Sequence, residues 1–147
     1  MAKQAKGLKT LIRLAKFEVD EKRRVLTALQ NQEERVIADI AQSEVTLRKE
    51  QELAKSDALG VGFIYGAYHR SWMAQRQALF ARLSTIRAEI EKARDDLAEA
   101  FRTLKTYEVT QANREKRERE ELERKEQIFL DEVGMTQYLR KNKEDAE

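Results

Sequence analysis

The sequence predicts an all-α protein: two long helices in an antiparallel coiled-coil hairpin, the second longer than the first and overhanging it. Three observations predict it. Read in alternate steps of four and three, Leu79, Leu83, Ile86, Ile90, Ala93, Leu97, Ala100, Leu104 and Tyr107 are apolar at nine successive positions, the narrow stripe of a helix with one partner helix. The 147 residues include no proline, five glycines and 38% charged side chains, a composition of long solvated helices rather than of packed layers. The stretch SDALGVGFIYG, residues 56–66, alone has the glycine chemistry to stop one helix and reverse direction.

The first helix is expected over residues 8–58, after a frayed basic lead-in that ends at Gly7. Its stripe runs Leu8, Ile12, Ala15, Val19, Lys22, Leu26, Leu29, Glu33, Val36, Ile40, Ser43, Leu47, Glu50 and Ala54, apolar at ten of fourteen positions. The four polar members cost stability and can fix register. Leu11, Leu14, Phe17 and Val25 lie outside the stripe and widen the apolar face, so this end is expected to have a second neighbour. The turn is placed at residues 59–66 and centred near Val61, which brings Ile40 to Leu83, Val36 to Ile86, Leu29 to Ala93 and Leu26 to Leu97.

The second helix is expected over residues 67–133. At ~1.5 Å rise per residue the two helices would be roughly 75 and 100 Å long, and the first is used up where the second reaches about Arg114. There the composition changes to REKREREELERKE, residues 114–126, with Leu122 the one uncharged member. Glu115 with Arg119, Glu120 with Arg124 and Glu121 with Lys125 have the favoured acid-first spacing, worth about 0.2–0.5 kcal/mol each, so a lone solvated helix is predicted. A charge run of this kind fits a plain solvated extension as well as a projecting rod. Ile128, Phe129, Leu130 and Val133 then form an apolar cluster without an intrachain partner, the pattern of a binding end. Gly134 reads as the helix stop, with a loose tail over residues 134–147.

The residues also bound the chemistry. A formal net charge of +2 conceals a dense mixture of both signs, unlike a dedicated polyanion binder. No apolar run reaches the ~20 residues of a membrane span, and the basic start Lys3, Lys6, Lys9 leads into no signal-type apolar block; a soluble, unprocessed chain is expected. With no cysteine and a single histidine, His69, thiolate metal sites and disulfides are excluded, and a reducing compartment, by default the cytoplasm, is expected. No glycine-rich phosphate loop and no Ser/His/Asp set is present, so no enzyme activity and no cofactor are expected. His69 fits a packed or solvated side chain and is given no role. Asp95 and Asp96 splay roughly 100° apart on a helix and read as surface.

Phe63, Tyr65, Tyr68 and Trp72 gather near the turn. Capping the open end of the seam is the simpler account. Two helices, however, cannot bury four aromatics and Ile64 in so short a span, which makes Tyr68, Trp72 and Met73 candidates for a docking patch.

The run LKTLIRLAKFEVDEKRR, residues 8–24, resembles the opening of the FliJ family, with Leu11, Leu14, Ala15, Glu18, Val19 and Asp20 carrying the match. IFLDEVGMTQYLRK, residues 128–141, resembles that family's terminal segment. The resemblance implies a non-enzymatic stalk of the flagellar type III protein export apparatus, similar to the shaft of rotary ATPases and lying at the cytoplasmic face of the inner membrane. It implies three partners: the export ATPase ring, the export gate membrane protein and export chaperones. Leu14, Glu18, Val19, Asp20 and Arg24 would face or support the ring, joined by Phe129, Leu130 and Val133. Trp72 matches the family's aromatic after the turn, and with Tyr68, Met73, Leu79 and Leu83 would meet the gate. The chain departs from the family pattern at Asp39, Ser43, Thr46 and Glu50, which shifts the expected gate surface toward the turn aromatics. A part in flagellum biogenesis, motility and chemotaxis follows from the same resemblance.

Two other classes fit the residues alone. One is a cytoplasmic coiled-coil scaffold that associates with itself. The other is an arm contacting nucleic acid, which the glutamates interleaved with the arginines oppose.

Overall fold

The computed structural model has two helices, α1 (Ala2–Ser56) and α2 (Val61–Asp145), and no strand among the described residues. The structure describes the backbone of residues 2–56 and 61–147, and the side chains of residues 6–55 and 65–147. The connection that carries Gly60, and the side chains of Phe63 and Ile64, lie outside the described residues.

Every helix boundary differs from the expected one: α1 starts earlier and stops slightly sooner, and α2 starts earlier and ends later. α1 begins at Ala2 instead of near Leu8. Gly7 costs about 1 kcal/mol in a helix interior, but the lysines, glutamine and alanines around it are strong helix formers, and the Thr10 hydroxyl donates to the Lys6 carbonyl at 2.9 Å across it. α1 ends at Ser56, two residues short of the expected 58, and α2 begins at Val61 rather than 67. Gly62 and Gly66 are therefore helical. Tilted ring contacts link these early turns of α2: the Tyr65 and His69 centroids lie 5.9 Å apart, those of His69 and Trp72 5.8 Å apart. A Cβ added at Gly66 would meet nothing within 4 Å, so this glycine serves no close helix approach.

Gly134 does not stop α2, which runs on to Asp145. A glycine ends a helix when the chain beyond it has a reason to leave. Here the residues beyond, MTQYLRKNKED, contain no proline and no turn pair, and the Thr136 hydroxyl donates to the Glu132 carbonyl at 2.9 Å across the glycine. The tail expected to be loose is helix.

The chain divides into two units, Leu14–Arg102 and a second one of Met1–Arg13 with Thr103–Glu147. In the first, α1 and α2 pack around Val36, Leu83, Ile86 and Ile90, with Leu26, Leu29, Ile40 and Leu79 partly buried against them. The expected pairs Ile40 with Leu83 and Val36 with Ile86 thus belong to one cluster. Ala15, Val19, Trp72 and Ala93 are also buried. The polar seam residues are accommodated individually. Lys22 turns its ammonium back to Glu18 at 3.6 Å, so its stem lies on the seam while its charge stays wet. At Ser43 the backbone carbonyl accepts from the Trp72 indole Nε1–H at 3.0 Å.

In the second unit Leu8, Ile12 and Leu104 are buried and Tyr107 half-buried. From Ala112 to Glu147 every residue is exposed. Of the three expected ion pairs, Glu121 to Lys125 is closed at 4.0 Å, while the other two are open. In water an exposed pair gains too little to hold two long side chains in one geometry.

Candidate interaction surfaces

The residues matched to a ring contact fall in both units. In Leu14–Arg102, Leu14 is 59% exposed, and Glu18, Asp20 and Arg24 are exposed beside it. Val19 is buried on the seam at 3%, so it holds the helix pair and presents nothing outward. Glu18 is engaged with Lys22, Asp20 with Arg23 at 3.9 Å, and Arg24 with Glu21 at 2.6 Å. These short-range pairs leave the charges accessible. Phe17 and Val25, also exposed, extend the apolar part of this face as the widened pattern predicts.

In the other unit Phe129, Leu130 and Val133 are exposed on α2, as are Ile128, Met135, Tyr138 and Leu139. A shallow groove runs along Leu122, Lys125, Glu126, Phe129 and Leu130. The seam of α2 re-enters here. Continued in steps of four and three beyond Tyr107, it passes five polar positions and then meets Ile128, Glu132, Met135 and Leu139. A helix that resumes an uncovered stripe is built for another helix or an apolar collar.

The residues matched to a gate contact divide sharply. Leu83 is in the core cluster and Leu79 packs against it. Trp72 is 7% exposed and hydrogen-bonded within the chain, so it cannot serve as a free anchor. Tyr68 is half-buried, and Met73 is the member of the set that stands out, at 47%. The simpler account of the turn aromatics, a cap on the helix pair, describes Trp72.

The sequence reading passed over Arg76 and Phe80. The Arg76 guanidinium lies 5.3 Å from the centroids of both the Trp72 and Phe80 rings and 3.6 Å from the Glu44 carboxylate on α1. Tyr65, His69, Trp72, Arg76 and Phe80 thus form one continuous row of ring and cation–ring contacts along α2. Their spacing of four, three, four and four was the available signal. The row mixes apolar, aromatic and cationic members, so a search for apolar stripes does not see it. Among the described residues no three His, Asp or Glu side chains gather as metal ligands, and no helix is long and apolar enough to cross a membrane.

The sequence model of a family described as Flagellar FliJ protein matches residues 4–143. The chain belongs to the FliJ family. The match spans both helices, including the part of α2 beyond Gly134. FliJ membership makes this a flagellar, export-related coiled-coil protein. No curated protein and no solved structure matches the chain.

Proposed function

We propose that this chain is the non-enzymatic stalk of the flagellar type III export apparatus, coupling the export ATPase ring to the export gate and assisting delivery of chaperone-bound cargo. The observation that carries the reading is the uncovered apolar set on α2, from Ile128 to Leu139, on a helix with no buried residue beyond Gln111. Apolar side chains held in water on a stable helix cost free energy unless a partner covers them. Family membership supplies the partner's setting.

Leu14, Glu18, Asp20 and Arg24, supported from beneath by Val19, are the α1 residues proposed to meet the ring, and Phe129, Leu130 and Val133 the α2 residues. Met73 and the flank around Tyr68 are proposed for the gate, with Trp72, Leu79 and Leu83 shaping that surface from below. The stalk would work in the cytoplasm at the inner face of the membrane. Its loss would stop filament assembly and therefore motility and chemotaxis. The test is capture of the ATPase and of the gate protein by the full chain carrying Arg13→Glu, Lys16→Glu and Arg24→Glu, and separately by one carrying Phe129→Ala and Leu130→Ala. Each set is expected to lower ATPase capture and swimming while leaving gate capture intact. Undiminished capture and swimming in both would sink the reading.

A further inference from the structure

We infer that the flank of α2 around Met73 and Phe80 is a docking surface for an acidic amphipathic helix of a partner protein. The inference deepens the gate contact proposed above and rests on that reading for its setting. Between Val61 and Ala88 α2 carries Arg70, Arg76, Arg82 and Arg87 and no acidic residue. Nowhere else in the chain is a stretch of that length so one-signed. At 3.6 residues per turn, Met73, Gln77, Phe80 and Ser84 fall within about 60° of one another on the helix surface. Arg70 borders that strip on one side, and Arg76 and Arg87 on the other. Met73 is 47% and Phe80 44% exposed, and with Trp72, Arg76 and Gln77 they line one shallow groove.

Two features make this strip more than a solvated face. Arg76 is already clamped between the Trp72 and Phe80 rings and tied to Glu44, so a partner meets it without a further ordering cost. Arg70 and Arg87 are exposed and make no ion pair among the described residues, so neither guanidinium is held by a carboxylate of this chain. Apolar anchors flanked by arginine are the usual make-up of an energetically dominant contact, and the partner that complements them carries carboxylates on either side of its own apolar ridge.

The occupant is a helix rather than a nucleic acid because of what lies alongside. The neighbouring length of α1, residues 33–55, has six acids, Glu33, Glu34, Asp39, Glu44, Glu50 and Glu52, against four bases. A polyanion wide enough to overlap both helices would meet repulsion from α1. A single helix about 10 Å across can lie on the basic strip alone.

The experiment uses the full chain and two fluorescein-labelled helical peptides of about 18 residues. Both place Leu at i, i+3, i+7 and i+10. One has Glu, its twin Lys, at the flanking positions. Fluorescence anisotropy at low ionic strength is expected to show binding of the Glu peptide and none of the Lys twin. Added salt should weaken the complex, as should Met73→Ala with Phe80→Ala, and Arg70→Glu with Arg87→Glu, each pair by about tenfold or more. All four positions are exposed, and far-UV circular dichroism verifies that the variants keep their helix. Equal binding of both peptides, no binding of either, or an unchanged Glu complex in the variants overturns the inference. So does a labelled mixed-sequence DNA duplex that binds more tightly than the Glu peptide. Gate capture measured on the same variants separates the two readings. Capture that survives Met73→Ala with Phe80→Ala overturns the docking surface and leaves the stalk standing. Peptide binding that obeys the pattern, with no gate captured even by the unaltered chain, removes the export setting and supports the surface.

Discussion

Ser43 and Trp72 show how a polar residue on a seam is used. The indole N–H donates to the Ser43 carbonyl at 3.0 Å. The hydroxyl itself is buried with no hydrogen-bond partner, an arrangement that loses the water it would otherwise bind. Ser43→Ala keeps the space, removes the unmet hydroxyl and improves helix propensity, so it is expected to stabilise the protein by about 0.5–1 kcal/mol in urea unfolding. Trp72→Phe keeps most of the apolar area and loses the donor. It is expected to destabilise by about 1 kcal/mol, read in the same urea unfolding. Ser43 is legible in the sequence as a break in the stripe. Its tryptophan is not, because the stripe gives spacing along one helix and says nothing of which side chain crosses to the other.

At the scale of the helices, apolar spacing was the dependable guide and glycine the misleading one. Leu83, Ile86 and Ile90 recur at seam intervals and do form the core with Val36. Ile86→Ala is expected to cost about 2–5 kcal/mol, read as a lower midpoint in denaturant. Gly7, Gly66 and Gly134 instead lie inside helices with open space where a Cβ would go. Each is a local weakness of about 1 kcal/mol that its neighbours outweigh, which a residue-by-residue search for stops cannot register. Gly134→Ala should therefore raise helix stability by roughly 0.5–1 kcal/mol, seen as slower amide exchange on both sides of residue 134. No change in protection there would mean the helix is not limited by the glycine.

For the molecule as a whole, burial stops well short of the C-terminal part of α2. The buried side chains lie between Leu8 and Leu104, and from Ala112 onward none is even half-buried. Removing residues 112–147 should move the thermal midpoint by less than about 4 °C, the shift that ~1 kcal/mol makes in a chain of this size, yet abolish ATPase capture and swimming. A large loss of thermal stability would contradict the burial pattern. The same division explains what could be read in advance. Two long helices, the seam and the uncovered end follow from periodicity over many turns, where single exceptions average out. The docking flank depends on Arg76 lodging between two rings beside Glu44, a three-dimensional coincidence of one helix with another.

Trp72 is the one tryptophan in the chain, and its ring sits where α1 and α2 meet. Its intrinsic emission is thus a resident optical gauge of that junction. Separation of the helices there would wet the indole and shift its light to longer wavelength, so opening can be followed in the unlabelled protein, alone or among its partners.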